Sequence, residues 1–313
     1  MALDIATTAF LAQMASAGGP ALHEMTPEQA RGLGSMLESM YGPGPDVAKV
    51  VNETIPTRDG SEIPVRVLVP HGEIQGMIVY IHGGGWVIGA LNEFDTLGRR
   101  MATQTHCVVV LVDYRLAPEH RFPTAVEDSW DGLVWAAENK IRFCGRSVPL
   151  VVAGDSAGGN LSAVMAMRAR DRGGPELAAQ VLVYPVTDCD FDRDSYTDPE
   201  NQLMLSRASM IWFWDHYAPD AAQREHPEAS PLRAEDLSGL PPAIVLTAGH
   251  DPLRDEGQAY AKRLEEAGVP VTFKNFPRQM HGFFTILRVL PGSASGLDFV
   301  AENLTSHLQP VTA

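Results

Sequence analysis

The sequence predicts an α/β architecture: a mostly parallel central sheet flanked by helices, with two additions to it. Three observations carry that reading. Short β-branched runs recur along the chain, stretches of helical spacing separate them, and the alternation breaks at two places.

Taken in order, residues 1–45 lack the strand pattern and end in the hinge Gly42-Pro43-Gly44-Pro45, so they are expected to be an addition to the sheet. The runs Val65–Val69, Met77–Ile81, Cys107–Val112, Leu150–Ala153 and Gln180–Tyr184 come next. Several are apolar at successive positions, as in strands covered on both faces, whereas a half-exposed strand would alternate with period two. Between them lie the expected helices Asp95–Gln104, Ala125–Asn139 and Ala157–Arg172. Residues 187–230 interrupt the pattern and carry Met210-Ile211-Trp212-Phe213-Trp214. They are expected to be a second addition to the sheet, its rings either roofing a pocket as a lid or packing a small core of their own. Runs Ala243–Thr247 and Val271–Phe276, helix Asp255–Ala267 stopped by Gly268, and helix Ser295–His307 complete the chain. The main domain is therefore expected over residues 46–186 and 231–313.

Composition narrows the function classes. The 313 residues are 45% hydrophobic and 20% charged, with a formal net charge of -15. That excess repels phosphate backbones and anionic lipid, so nucleic acid is not an expected partner. The longest apolar runs are far shorter than the roughly 20 residues that span a bilayer, so stable membrane insertion is not expected. The first basic residue is Arg31, and residues 1–17 lack the basic start of a signal peptide, so a cytoplasmic location is expected. Cys107, Cys144 and Cys189 are scattered and form neither a disulfide framework nor a zinc pattern, and His250 beside Asp251 has no further ligand at metal spacing, so no metal is expected.

Gly154-Asp155-Ser156-Ala157-Gly158 fits G-x-S-x-G between a strand-like run and a helix-like run. On such a tight elbow the serine hydroxyl projects at the positive end of the helix dipole, and small flanking residues give the turn its room. A serine is a weak nucleophile until a base contacts it and a third group orients that base. His281 follows the last run in Met280-His281-Gly282, where a loop side chain can reach across, while the later His307 reads as a surface residue. Asp251 lies just beyond Ala243–Thr247 and is the chosen acid; Asp255 and Glu256 begin a helix, where acidic residues have an ordinary dipole role. His82-Gly83-Gly84-Gly85-Trp86, directly after Met77–Ile81, supplies a glycine-rich loop whose amides can face a developing oxyanion. Neither dinucleotide nor P-loop glycine spacing is present. The order Ser156, Asp251, His281 is that of the α/β-hydrolase triad.

Together with Asp113-Tyr114-Arg115-Leu116-Ala117-Pro118-Glu119 and Asp251-Pro252-Leu253-Arg254-Asp255-Glu256, these motifs closely resemble the hormone-sensitive-lipase-like (bacterial family IV) carboxylesterases over roughly residues 60–285. The resemblance implies an α/β-hydrolase fold with a helical cap, of which residues 1–45 would form the N-terminal part and residues 187–230 the inserted segment, and a serine carboxylesterase acting without a cofactor on short- to medium-chain acyl esters. It implies an oxyanion hole from the N–H groups of Gly84, Gly85 and Ala157, and a supporting polar network of Tyr114, Arg115 and Glu119. Trp86, Trp212, Phe213, Trp214 and Phe283 are the expected apolar wall of the substrate pocket. Two rival functions stay open: an amidase with the same triad, and a ligand-binding receptor, against which the presence of His281 argues. The oligomeric state is also open, with a homodimer through the last strand preferred.

Overall fold

The computed structural model describes residues 1–32 and 41–308, so residues 33–40 of the expected N-terminal cap segment, and 309–313, lie outside the described residues. The strands are β1 (Lys49–Pro56), β2 (Glu62–Val69), β3 (Gly76–Ile81), β4 (Cys107–Val112), β5 (Leu150–Asp155), β6 (Ala179–Val183), β7 (Ala243–His250) and β8 (Val271–Met280). They form one sheet in the order β1-β2-β4-β3-β5-β6-β7-β8. Every adjacent pair from β4 to β8 is parallel, while β2 runs antiparallel to both β1 and β4.

Strand β1 has no counterpart in the sequence reading. Of its residues only Ile55 is buried, so no apolar run marks it, and its pairing with β2 along the whole strand is what holds it. By contrast β3, β4 and β5 are buried at every position, which is why they read as unbroken apolar runs.

The longer helices are α1 (Ile5–Ala17), α2 (Leu91–Thr105), α3 (Thr124–Glu138), α4 (Ala157–Asp171), α5 (Arg207–Tyr217), α6 (Arg254–Glu266) and α7 (Gly292–Leu304). Helix α1 lacks an apolar stripe, burying only Thr7 and Phe10, and is started by Asp4, whose carboxylate accepts the Thr7 N–H at 2.7 Å. Helix α2 begins four residues before its expected start. The terminal helix begins at Gly292 and passes into a 3-10 turn over Thr305–His307.

Two apolar layers cover the sheet. On β3, Met77, Val79 and Ile81 join one cluster with residues of α3 and α4, while Ile78 and Tyr80 join the other with residues of α2 and α7. Each fully buried side chain of this kind contributes roughly 1.5–3 kcal/mol relative to an exposed one. No helix among the described residues is long and apolar enough to cross a membrane. In a doubly covered parallel sheet, chemistry is built at the carboxyl ends of the strands.

Candidate active site

Strand β5 delivers Asp155 and passes directly into α4 through Ser156, whose backbone has φ 55° and ψ -118°. This conformation costs on the order of 1–3 kcal/mol for a residue other than glycine and persists only where the surroundings fix it. They do so here: Ser156 donates its N–H to Val183 O (2.9 Å) and accepts from Val186 N–H (3.1 Å). A Cβ on Gly154 would run into the carbonyl of Gly158, and one on Gly158 into the carbonyl of Ile81, so the strand-to-helix crossing closes only with glycine at both places.

His281 stands immediately after β8. Its Nδ1 lies 2.8 Å from Asp251 Oδ2 and its Nε2 lies 3.1 Å from Ser156 Oγ. Asp251 is fully buried at the end of β7, and its other oxygen accepts the Leu253 N–H at 2.9 Å. The carboxylate accepts only, so Nδ1 donates to it and the free lone pair of Nε2 faces the serine hydroxyl. The three residues selected from the sequence are thus joined in one hydrogen-bonded chain.

The glycine loop after β3 comes alongside. Gly84, Gly85 and Trp86 have φ of 112°, 57° and 62°. Gly83 donates its N–H to Asp155 Oδ1 (2.9 Å), which also accepts the Tyr80 hydroxyl (2.7 Å). Burial pushes the Asp155 carboxyl up to about 6, although both hydrogen bonds favour its charged form. Among the described residues the N–H groups of Gly84, Gly85 and Ala157 donate to no backbone carbonyl. His82 is held neutral, at about 4, by complete burial; it lies between the rings of Phe94 and Tyr114 and directs Nδ1 to Gly83 O (2.7 Å).

The expected supporting network divides into separate contacts. Tyr114 donates its hydroxyl to His82 O (3.0 Å) below the glycine loop. Arg115 forms a two-pronged bond with the buried Asp128 and reaches Asp59. Glu119 instead pairs with Arg31 of the N-terminal segment, and that guanidinium also donates to Val87 O and Ala117 O, both at 2.9 Å.

Of the five rings expected on a pocket wall, Trp86, Trp214 and Phe283 are completely buried in packing. Trp86 meets Trp214 edge-on at 4.9 Å, and Phe283 packs against Phe276 and Phe284 in the layer shared with α7. Phe213, on α5, lies over Gly85, where an added Cβ would enter its ring. Trp212 is half-buried and touches Phe213 at 5.1 Å.

Sequence reasoning gave Glu256 only a dipole role. It is wholly buried, and its Oε1 accepts the N–H of Thr187 (2.7 Å), tying α6 to the loop that follows β6; burial pushes its carboxyl well above the usual range. Tyr184 and Tyr217 carry no mark in the sequence that separates them from its other aromatics, apart from the place of Tyr184 at the end of the run Gln180–Tyr184.

A family model described as alpha/beta hydrolase fold matches residues 78–285. Carboxylesterase NlhH of Mycobacterium tuberculosis is 44% identical over 239 residues, covering 75% of each chain. Ethyl acetate hydrolase of Pseudomonas putida is 34% identical over 321 residues, covering 98% of this chain and all of its own. Among solved structures, an ester hydrolase from the metagenome of Lake Arreo, complexed with a derivative of bipyridine phosphonate, superposes with a TM-score of 0.92 at 39% identity, covering 97% of this chain and 99% of its own. A thermostable esterase from Pseudomonas putida gives 0.90 at 35% identity, covering 99% and 98%.

Proposed function

The chain belongs to the α/β-hydrolase fold family, in its hormone-sensitive-lipase-like branch, and is a carboxylic ester hydrolase; from that premise we propose that Ser156, His281 and Asp251 carry the reaction on short- to medium-chain acyl esters. The observation that carries the assignment is the unbroken chain from Asp251 through His281 to Ser156, at 2.8 and 3.1 Å. In this reading Ser156 Oγ attacks the ester carbonyl, His281 Nε2 takes its proton, and Asp251 stabilises the imidazolium. The tetrahedral intermediate collapses as His281 returns the proton to the leaving alcohol. Water, deprotonated by the same histidine, then hydrolyses the acyl-enzyme and releases the acid.

The amides of Gly84, Gly85 and Ala157 receive the oxyanion in both tetrahedral intermediates, each donor worth about 2.7–4 kcal/mol. The described part of residues 1–45 and residues 187–230 are assigned to the cap, and Phe213 and Trp212 to the apolar wall of the pocket. The position of Phe213 over Gly85 supports the preference for shorter acyl groups, because a bulky ring stands beside the proposed oxyanion donors.

The test is kcat/KM on p-nitrophenyl esters from acetate to palmitate, for wild type and Ser156→Ala in parallel. The expected result is a maximum at short chains that disappears in the variant. A maximum at long chains overturns the chain-length assignment, and turnover retained by Ser156→Ala overturns the nucleophile.

A further inference from the structure

The end of β6 and the residues after it touch two members of the Ser156–His281–Asp251 chain, Ser156 and His281. This strand lies between β5, which leads to Ser156, and β7, which leads to Asp251. Val183 and Val186 hold the backbone of Ser156 through the two hydrogen bonds already described, and Tyr184 between them donates its N–H to Leu246 O on β7 at 2.6 Å. The Tyr184 ring is completely buried and lies against the imidazole of His281, with centroids 4.5 Å apart and planes tilted by 53°. Phe283 closes on the same ring edge-on at 5.8 Å. The backbone of Tyr184 has φ 34°, a left-handed value that bulky residues rarely adopt and that persists only where the surroundings over-determine it.

We propose that the Tyr184 ring is the wall that sets the plane of the His281 imidazole, making Tyr184 a positioning residue for acyl transfer. The proposal rests on the triad assignment given under Proposed function. The imidazole is anchored at Cβ and by two hydrogen bonds, at Nδ1 and Nε2, and its remaining freedom is rotation about the Cβ–Cγ bond. That rotation carries Nε2 and its in-plane lone pair away from the serine hydroxyl. A rigid ring packed beside the imidazole, tilted by 53° to it and wholly buried, blocks this rotation, so its removal acts on the chemical step and leaves substrate binding alone.

The experiment measures kcat and KM for Tyr184→Phe, Tyr184→Leu and Tyr184→Met, with the active fraction of each preparation titrated by a phosphonate ester so that misfolded protein does not enter kcat. Tyr184→Phe keeps the wall and is expected within about twofold of wild type, while Leu and Met lose about 10–100-fold in kcat with KM within about threefold. Methionine keeps most of the volume, so it reads the same effect if the leucine variant fails to fold. An unchanged kcat in the folded Leu or Met variant, or an equal loss in Tyr184→Phe, overturns the proposal. Ser156→Ala and His281→Asn are assayed beside them. Turnover in those two variants defeats the triad assignment itself; inactive triad variants beside a fully active Tyr184→Met defeat only the positioning role.

Discussion

The indole of Trp86 lies flat on the ring of Tyr217, with centroids 4.2 Å and planes 7° apart. Trp86 follows the glycine loop in a left-handed conformation, and Tyr217 ends α5, so the stack joins the proposed oxyanion hole to the proposed cap. Phe122 donates its N–H to Tyr217 O at 2.9 Å, which fixes the helix end from the other side. Truncating a buried aromatic of this size costs about 3–5 kcal/mol. Tyr217→Ala should therefore lower the urea midpoint and, by loosening the loop, reduce kcat more than it raises KM. An unfolding curve matching wild type would show that the stack carries no stability.

Stability should depend on pH through Asp155. Its carboxyl is raised in the folded state to about 6 by burial. A carboxyl raised on folding contributes its stability in full below its unfolded value, near about 4, and loses that contribution as pH rises through the folded one. Asp155 thus withdraws about 2 kcal/mol of stability between pH 4 and pH 7. Tyr80 and Gly83 both donate to Oδ1, an atom that asparagine retains. Asp155→Asn should keep these bonds and lose the pH-dependent fall. Urea unfolding at pH 4 and pH 7 checks this, and equal falls for the two proteins would refute it.

Gly85 has φ 57°, and a Cβ there would enter the Phe213 ring. Gly85→Ala should displace the loop and cost about 100-fold or more in kcat, the effect of losing one oxyanion donor. Adding Phe213→Ala removes the clash and should restore part of the loss. A double variant no better than the single one would place the defect in the backbone rather than against the ring.

Asp251→Asn should lower kcat by about 10⁴-fold while leaving the fold intact. The retained Oδ1 still accepts the Leu253 N–H, so the turn survives, but the atom facing His281 Nδ1 is no longer a carboxylate oxygen. Thermal unfolding and kcat measured on one preparation test both halves of the statement.

The parallel part of the sheet was legible because β3, β4 and β5 are buried on both faces and leave unbroken apolar runs. That Ser156, Asp251 and His281 come together was legible because each directly follows a strand, and strand ends are readable as places where apolar runs stop. β1 was not legible, since one buried residue in eight leaves no periodicity. The roles of the aromatics were illegible for a different reason. Whether Trp86 lines a cavity or stacks on Tyr217 depends on a partner 131 positions later in the sequence. Glu256 failed in the same way, because its partner Thr187 is 69 residues distant.

The hydrogen bond between Ser156 and His281 closes a span of 125 residues, and the histidine hangs from β8, the far edge of the sheet. Helical contacts of i to i+4 form in microseconds or less, whereas pairings this distant in sequence come late. Turnover regained after dilution from denaturant is therefore a clock for the final docking of β7 and β8, running behind the return of the helical circular dichroism signal.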